Sequence, residues 1–190
     1  FIPDKVTFDQ YKAVLIQNSD YLMKFWNSVW LTVPITVFQM AVAILTSYGF
    51  SRYPNKFKGI IFFAYIILMI MPYQVTLVPN YLVADKFGLL DTRLSIILPA
   101  VFSPFSIFLL TKVMRRIPVS FVEAAKLDGA GEFKILTKIY IPLCKGAIVS
   151  IAMLVFIDYW NMVEQPLVLM KESTLHPLSV FLSQISTGDI

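Results

Sequence analysis

The chain has 190 residues, 57% of them hydrophobic and 15% charged, a net charge of +4 and one cysteine, Cys144. Soluble domains run nearer roughly 45–50% apolar and about 25% charged, so this composition excludes a disordered chain and a nucleic-acid module, and a lone cysteine excludes an internal disulfide scaffold. A mean hydropathy of +0.71 points to lipid as the solvent.

Along the chain, the charges mark off apolar stretches. Residues 1–26 hold three basic and three acidic residues, and the opening FIPDKVTFDQYKAVL has no apolar run of the signal-peptide kind. Between Lys24 and Arg52 lie 27 uncharged residues, between Lys58 and Asp85 lie 26, and between Arg93 and Lys112 lie 18. Even the shortest reaches ~27 Å as a helix, close to the thickness of a hydrocarbon core. A fourth stretch, Gly146 to Met170, is 25 residues long and carries Asp158 and Glu164. The expectation is an all-α membrane protein with four transmembrane helices in view. Pro34, Pro72, Pro79, Pro99 and Pro104 fall inside these spans and are expected to kink or break them. Tyr21, Trp26 and Trp30 fit an interfacial aromatic belt at the outer end of the first span.

Orientation follows from Lys and Arg in the short loops. Residues 52–58 carry three basic residues and no acid, and residues 112–145 carry seven basic and three acidic; residues 85–93 are balanced, two and two. The two basic loops are therefore expected on the cytoplasmic side and both chain ends outside. A chain that begins outside needs a signal peptide or a membrane helix upstream, so at least one further helix is expected before Phe1.

The loop between the third and fourth spans is too polar to cross a membrane and too patterned for a linker. Ser120 followed by Glu123 fits a capping box, Phe121 to Asp128 reads as a two-turn helix, and Gly129 stands where a helix ends in a left-handed residue. A second helical stretch is expected from about Glu132, stopped by Pro142. Phe121, Val122, Ala124, Ala125 and Leu127 make the short helix largely apolar, and the two alanines would let a partner's backbone come close. Such a helix is marginal on its own, so the loop reads as a docking knob for a protein; for Glu123 the plainer reading is a helix cap.

In the fourth span Asp158, Asn161 and Gln165 follow i, i+3, i+7 spacing, with Trp160 and Glu164 beside them. Counted from Gly146, Asp158 lies ~18 Å along a helix and Glu164 ~27 Å, which is mid-membrane and near the outer mouth. A carboxylate at that depth faces a cavity or a partner. Asp158, Trp160, Asn161, Glu164 and Gln165, with Gln74 as a further candidate, are the expected lining of a translocation path. Polar packing between helices is the alternative. His176, the one histidine, offers no metal site, and Cys144 reads as a small apolar residue.

The loop also carries a motif. Glu123-Ala124-Ala125, three residues, Gly129, nine residues, Ile139, one residue, Ile141 and Pro142 resembles the EAA motif of the membrane subunits of bacterial ATP-binding-cassette importers that work with a solute-binding protein. Ile141 stands where the motif has Leu. FWNSVWLT, SYGFSRY, LMIMPYQVTLVPNYL, GLLDTRLSIILP, IFLLTKVMRRIP and DYWNMVEQPLVL, in that order, are similar to the smaller permease subunit of carbohydrate importers of the maltose-transporter class. The resemblance implies a type I importer transmembrane domain, with these four helices as the second to fifth of six. Residues 1–190 would form one permease domain containing a coupling loop at 118–142. Glu123, Ala124, Ala125, Asp128 and Gly129 would dock on an ATPase.

The implied partners are a second homologous permease subunit, two ATPase subunits, an extracytoplasmic solute-binding protein, a carbohydrate and membrane lipid, in the bacterial cytoplasmic membrane. ATP and Mg would be bound by the ATPases, with no cofactor, metal or catalytic residue in this chain; it has no G-x4-G-K-[ST] loop. The same machinery carrying an amino acid, phosphate or glycerol phosphate is the nearest alternative. A stand-alone channel or ion-coupled carrier using Asp158 and Glu164 is a second, and a membrane-anchored structural protein a third.

Overall fold

A computed structural model describes residues 19–52 and 56–187, and every regular element in them is helical. In chain order these are α1 (Ser19–Arg52), α2 (Lys56–Ile70), α3 (Tyr73–Lys86), α4 (Leu94–Ala100), α5 (Pro104–Met114), α6 (Val119–Leu127), α7 (Glu132–Ile135), a π turn (Leu136–Tyr140), α8 (Ile141–Leu143), α9 (Lys145–Trp160), α10 (Glu164–Leu169), a 3₁₀ turn (Ser173–Leu175) and α11 (Leu178–Thr187). The opening residues 1–18, and residues 53–55 of the first basic loop, lie outside the described residues.

Of the four expected spans, two are continuous enough to cross a membrane, Asp20–Arg52 and Leu94–Met114. The second is bent, Phe57–Ile70 meeting Gln74–Lys86 at 104°, and the fourth is entered through a bend, Glu132–Leu143 of the loop before it meeting Lys145–Trp160 at 77°. The fourth is also shorter than expected, since α9 stops at Trp160 and α10 starts afresh at Glu164. The prolines divide by position. Pro72 sits at the break before α3 with φ −60° and ψ 140°, an extended conformation that its ring favours and that no helix continues. Pro104 opens α5, where Ser103 Oγ accepts from the Ser106 N–H at 3.3 Å; a proline at the first helical position loses no intrahelical bond. Pro34, Pro79 and Pro99 stay inside α1, α3 and α4, so these three do not break the helices that hold them.

Helix α1 is the axis of the bundle. Its 34 residues span about 50 Å at ~1.5 Å per residue. Leu31, Ile35, Gln39, Ala43 and Ser47 recur about every four residues and are all buried. Leu31 and Ile35 pack with Ile96 and Ala100 of α4 and Leu169 of α10, while Gln39, Ala43 and Ser47 face α5, where Ile107 and Leu110 are fully buried. Ser47 Oγ donates to the Ile107 carbonyl at 2.9 Å and Gln39 Nε2 to Ser106 Oγ at 2.9 Å, the small and polar contacts that draw helices together where solvent is apolar. Phe57, Ile60, Phe63, Val78 and Leu82 point outward and are exposed, as a lipid-facing surface requires.

At one end of α1 a polar network fastens the segment after α10. Asn27 Nδ2 donates to the carbonyls of Thr174 (2.7 Å) and His176 (3.2 Å), while Asn27 Oδ1 accepts from Arg93 Nη2 at 2.8 Å. Lys24 Nζ donates to the Ser173 carbonyl, and Ser28 Oγ accepts from the Leu178 N–H at 2.9 Å. His176 is buried here, its Nε2 2.8 Å from the Met170 carbonyl. Asn27→Ala would leave a guanidinium and two carbonyls without this partner in a partly buried site, at a cost of about 1–2 kcal/mol. The expected result is a lower melting temperature of the purified protein, read by intrinsic fluorescence, with an unshifted transition as the contrary outcome.

Candidate functional site

At the opposite end of α1 stands the loop that the sequence marks as a docking knob. Helix α6 begins one residue before the expected capping serine: Pro118 (φ −60°, ψ 138°) precedes Val119, and no side-chain cap hydrogen bond closes the start. Ser120 is therefore inside the first turn, and the capping box does not form. Proline supplies the entry geometry by its fixed φ, and the Phe121 N–H reaches back to the Pro118 carbonyl at 3.3 Å.

The far end of α6 is a Schellman motif. Gly129 has φ +74°, its N–H donates to the Lys126 carbonyl at 3.0 Å, and the Ala130 N–H donates to the Ala125 carbonyl at 2.9 Å. A side chain added at Gly129 would meet nothing within 4 Å, so its cost is conformational. Gly129→Val should lose roughly 1–2 kcal/mol of local stability and Gly129→Asn much less, because asparagine tolerates the left-handed region. Limited proteolysis of the loop in the two variants measures the difference. Equal cleavage would show that φ is not what selects glycine here.

The two alanines face different ways. Val122 is 1% exposed and Ala125 packs with it on a cluster of Tyr48, Met114, Ile135, Leu136, Tyr140 and Cys144. Ala124 is exposed, between Phe121 and Leu127, and Leu127 is 90% exposed. Glu123 and Asp128 are exposed on the same short helix, and Phe133 projects beside it at 76% exposure. One face of α6 thus anchors the loop while the other presents apolar side chains with nothing over them in this chain.

Pro142 does not stop the second stretch. Glu132–Ile135 runs through the π turn into Ile141–Leu143, and the Ile141 N–H bonds to the Leu136 carbonyl, five residues back. Widening the turn ahead of the proline relieves the clash its ring would make with the carbonyl four residues back. Sequence reasoning also passed over Glu132. Its carboxylate accepts from Tyr48 OH and pairs with Arg52 Nη2 at 3.7 Å and Lys126 Nζ at 3.1 Å. The available signal was Tyr48 and Arg52 at i, i+4 spacing on the last turn of a membrane helix.

The second polar region lies where α9 breaks. Asn161 caps α9 (φ −95°, ψ 5°), and its Nδ2 donates to the Ile157 carbonyl at 2.7 Å. Helix α10 restarts at Glu164. The i, i+3, i+7 face of one continuous helix therefore does not exist. The break nevertheless turns Asp158, Asn161, Glu164 and Gln165 toward one hollow of about 420 Å³, which Gln74 closes from α3. Gln74 Nε2 donates to Glu164 Oε2 at 3.2 Å. Trp160 is not in this lining. It stacks on Phe156 (centroids 5.4 Å apart, planes at 18°) and meets Phe25 edge-on at 5.7 Å, because two residues along a helix turn a side chain to the far side. Tyr159, which sequence reasoning did not single out, lines the hollow instead. Tyr159 and Gln165 also line an adjoining hollow of about 410 Å³ that holds Thr76, Asn80, Ser95 and Ser103. Carboxylates, primary amides, hydroxyls and one phenol ring form a surface able to hydrogen-bond a polyhydroxylated solute. Among the described residues, no three His, Cys, Asp or Glu side chains gather as metal ligands.

Residues 18–176 match the family described as "Binding-protein-dependent transport system inner membrane component". The arabinooligosaccharides transport system permease protein AraQ of Halalkalibacterium halodurans is 26% identical, over 98% of this chain and 67% of its own length. The lactose transport system permease protein LacG of Rhizobium radiobacter is 26% identical, over 95% of this chain and 66% of its own. The polygalacturonan/rhamnogalacturonan transport system permease protein YtcP of Bacillus subtilis is 30% identical, over 97% and 63%. Among solved structures, a bacterial ABC transporter involved in the import of the acidic polysaccharide alginate superposes with a TM-score of 0.88 at 28% identity, covering 100% of this chain and 66% of that one. The chain thus spans about two thirds of the length of these relatives.

Proposed function

The chain belongs to the family of binding-protein-dependent transport system inner membrane components, and from that premise we propose that it is the core of a permease subunit of a carbohydrate ABC importer. The observation that carries this reading is the docking face: Phe121, Ala124 and Leu127 exposed on a short helix whose orientation is set by buried Val122 and the turn at Gly129. That face suits a groove on a partner ATPase, with Glu123 and Asp128 at the rim. The loop 118–142 is the coupling element of a single permease domain, 1–190. The end of the bundle bearing it is cytoplasmic, in keeping with its seven basic residues, and the end where Asn27 and Lys24 hold residues 173–176 is extracytoplasmic.

Two ATPase subunits binding ATP and Mg, a second permease subunit and a solute-binding protein complete the machine. ATPase closure moves α6, and the motion opens the path to one side of the membrane at a time. The hollow of Gln74, Asp158, Asn161, Glu164 and Gln165 lines this chain's half of that path. The relatives named for arabinooligosaccharides, lactose and polygalacturonan support a sugar or oligosaccharide as cargo. Expression of the full-length subunit with its neighbouring transporter genes tests the reading. An ATPase dimer and a second permease should copurify, and proteoliposomes should take up the binding protein's sugar only with ATP. Uptake driven by an ion gradient without ATP would overturn it.

A further inference from the structure

We propose that Glu132 is a coupling strut, a positioning residue whose carboxylate ties the docking helix α6 to the cytoplasmic end of α1 through Lys126 on one side and Arg52 with Tyr48 on the other. The inference rests on the permease reading and adds to it a specific route for the motion.

The apolar cluster beneath α6 also touches α1 through Tyr48, whose ring meets Tyr140 edge-on with centroids 4.9 Å apart. Close packing transmits a push across that cluster but fixes no charged contact between α6 and the end of α1. Glu132 supplies what it lacks: Tyr48 OH donates to one carboxylate oxygen, while Arg52 at 3.7 Å and Lys126 at 3.1 Å share the other. The Arg52 side chain is only 11% exposed, against 51% for Lys126. Glu132 itself is 39% exposed, so the α1 arm of the strut is the more sheltered from water of the two, and the α6 arm is the one that can open and close. Beyond Arg52, α1 runs without interruption to Lys24 and Asn27, which grip the carbonyls of residues 173, 174 and 176 at the other end. A push on α6 delivered through Glu132 thus reaches the extracytoplasmic loop by one rigid element. The plainer role for an acid in the first turn of a helix, favourable interaction with the α7 dipole, gives Arg52 no part.

A double-mutant cycle in the complete reconstituted transporter separates the two roles, with sugar taken up per ATP hydrolysed as the readout. Glu132→Gln keeps the acceptor for Tyr48 and removes the charge. It and Arg52→Gln are each expected to lower the ratio about tenfold while the ATPase still copurifies, and the double variant is expected to be no worse than either single one. Lys126→Gln, an exposed change that leaves the fold intact, is expected to lower the ratio in the wild type and to do nothing further in the Glu132→Gln background. Multiplying effects, or an unchanged ratio in both single variants, overturns the strut. If Glu132→Gln or Arg52→Gln fails to assemble, the effect of Lys126→Gln alone decides, and a wild-type ratio there overturns it. A wild-type transporter that shows no ATP-driven uptake overturns the permease reading itself, and the strut with it.

Discussion

Ala124→Arg is expected to abolish capture of the ATPase subunits while leaving the permease folded. Ala124 lies on the exposed face of α6 between Phe121 and Leu127, where a long charged side chain has room in the isolated chain. In a docked complex the same side chain would hold the two surfaces apart or bury an unpaired charge, a penalty of at least ~3 kcal/mol, more than a hundredfold in affinity. Ala124→Ser, small and neutral, should dock normally. Ala125→Arg offers the contrast. From the sequence alone both alanines read as places where a partner comes close, but Ala125 packs inward against Val122 and its cluster. An arginine there should unseat the loop itself, so the melting temperature falls together with binding. Copurification and thermal unfolding, measured on the three variants side by side, resolve the two faces. Full ATPase recovery with Ala124→Arg would remove this face from the coupling interface.

Asp158→Asn is expected to lower sugar uptake by about tenfold with assembly unaffected. Asp158 lines the hollow at the break between α9 and α10 with Asn161, Glu164 and Gln165. A carboxylate accepts hydrogen bonds from sugar hydroxyls more strongly than an amide, by about 1–2 kcal/mol in a partly desolvated site. Asn161→Ala should act in the same direction, through lost contact with solute and a loosened cap where Nδ2 now holds the Ile157 carbonyl at 2.7 Å. If Asp158 served only to pack helices, the stability of Asp158→Asn would fall in step with its uptake. Initial rates in proteoliposomes, beside the melting temperature of each variant, distinguish the two. Unchanged uptake of every sugar tested in both variants would take this hollow out of the path.

The two regions were not equally open to reading from sequence. The α6 turn was legible because its determinants are local: a glycine at φ +74° and the hydrogen bonds around it span six residues. Its entry was misread for a local reason too, since Pro118 competes with Ser120 for the start and its fixed φ wins. In the fourth span, spacing alone predicted a shared face for Asp158, Asn161 and Gln165. The residues do meet, by way of a break that periodicity cannot register. The position of Trp160 on Phe156 and Phe25 depended on which side of α9 meets the N-terminal part of α1, and that is a property of packing.

Composition and charge spacing by themselves determined that this is an all-helical membrane protein, which stretches are apolar enough to cross and where the basic loop falls, and the order of residues in that loop carried the resemblance. These are one-dimensional properties: transfer into lipid depends on the run of apolar residues, and motif spacing is counted along the chain. Tertiary structure decided which spans are bent, which alanine of the motif faces outward, and that Gln74 meets Glu164 across 90 residues of sequence. It also decided that Glu132 joins Arg52, Lys126 and Tyr48. Each of these depends on how two helices cross, and a crossing is set by the summed packing of both surfaces rather than by any local run of residues.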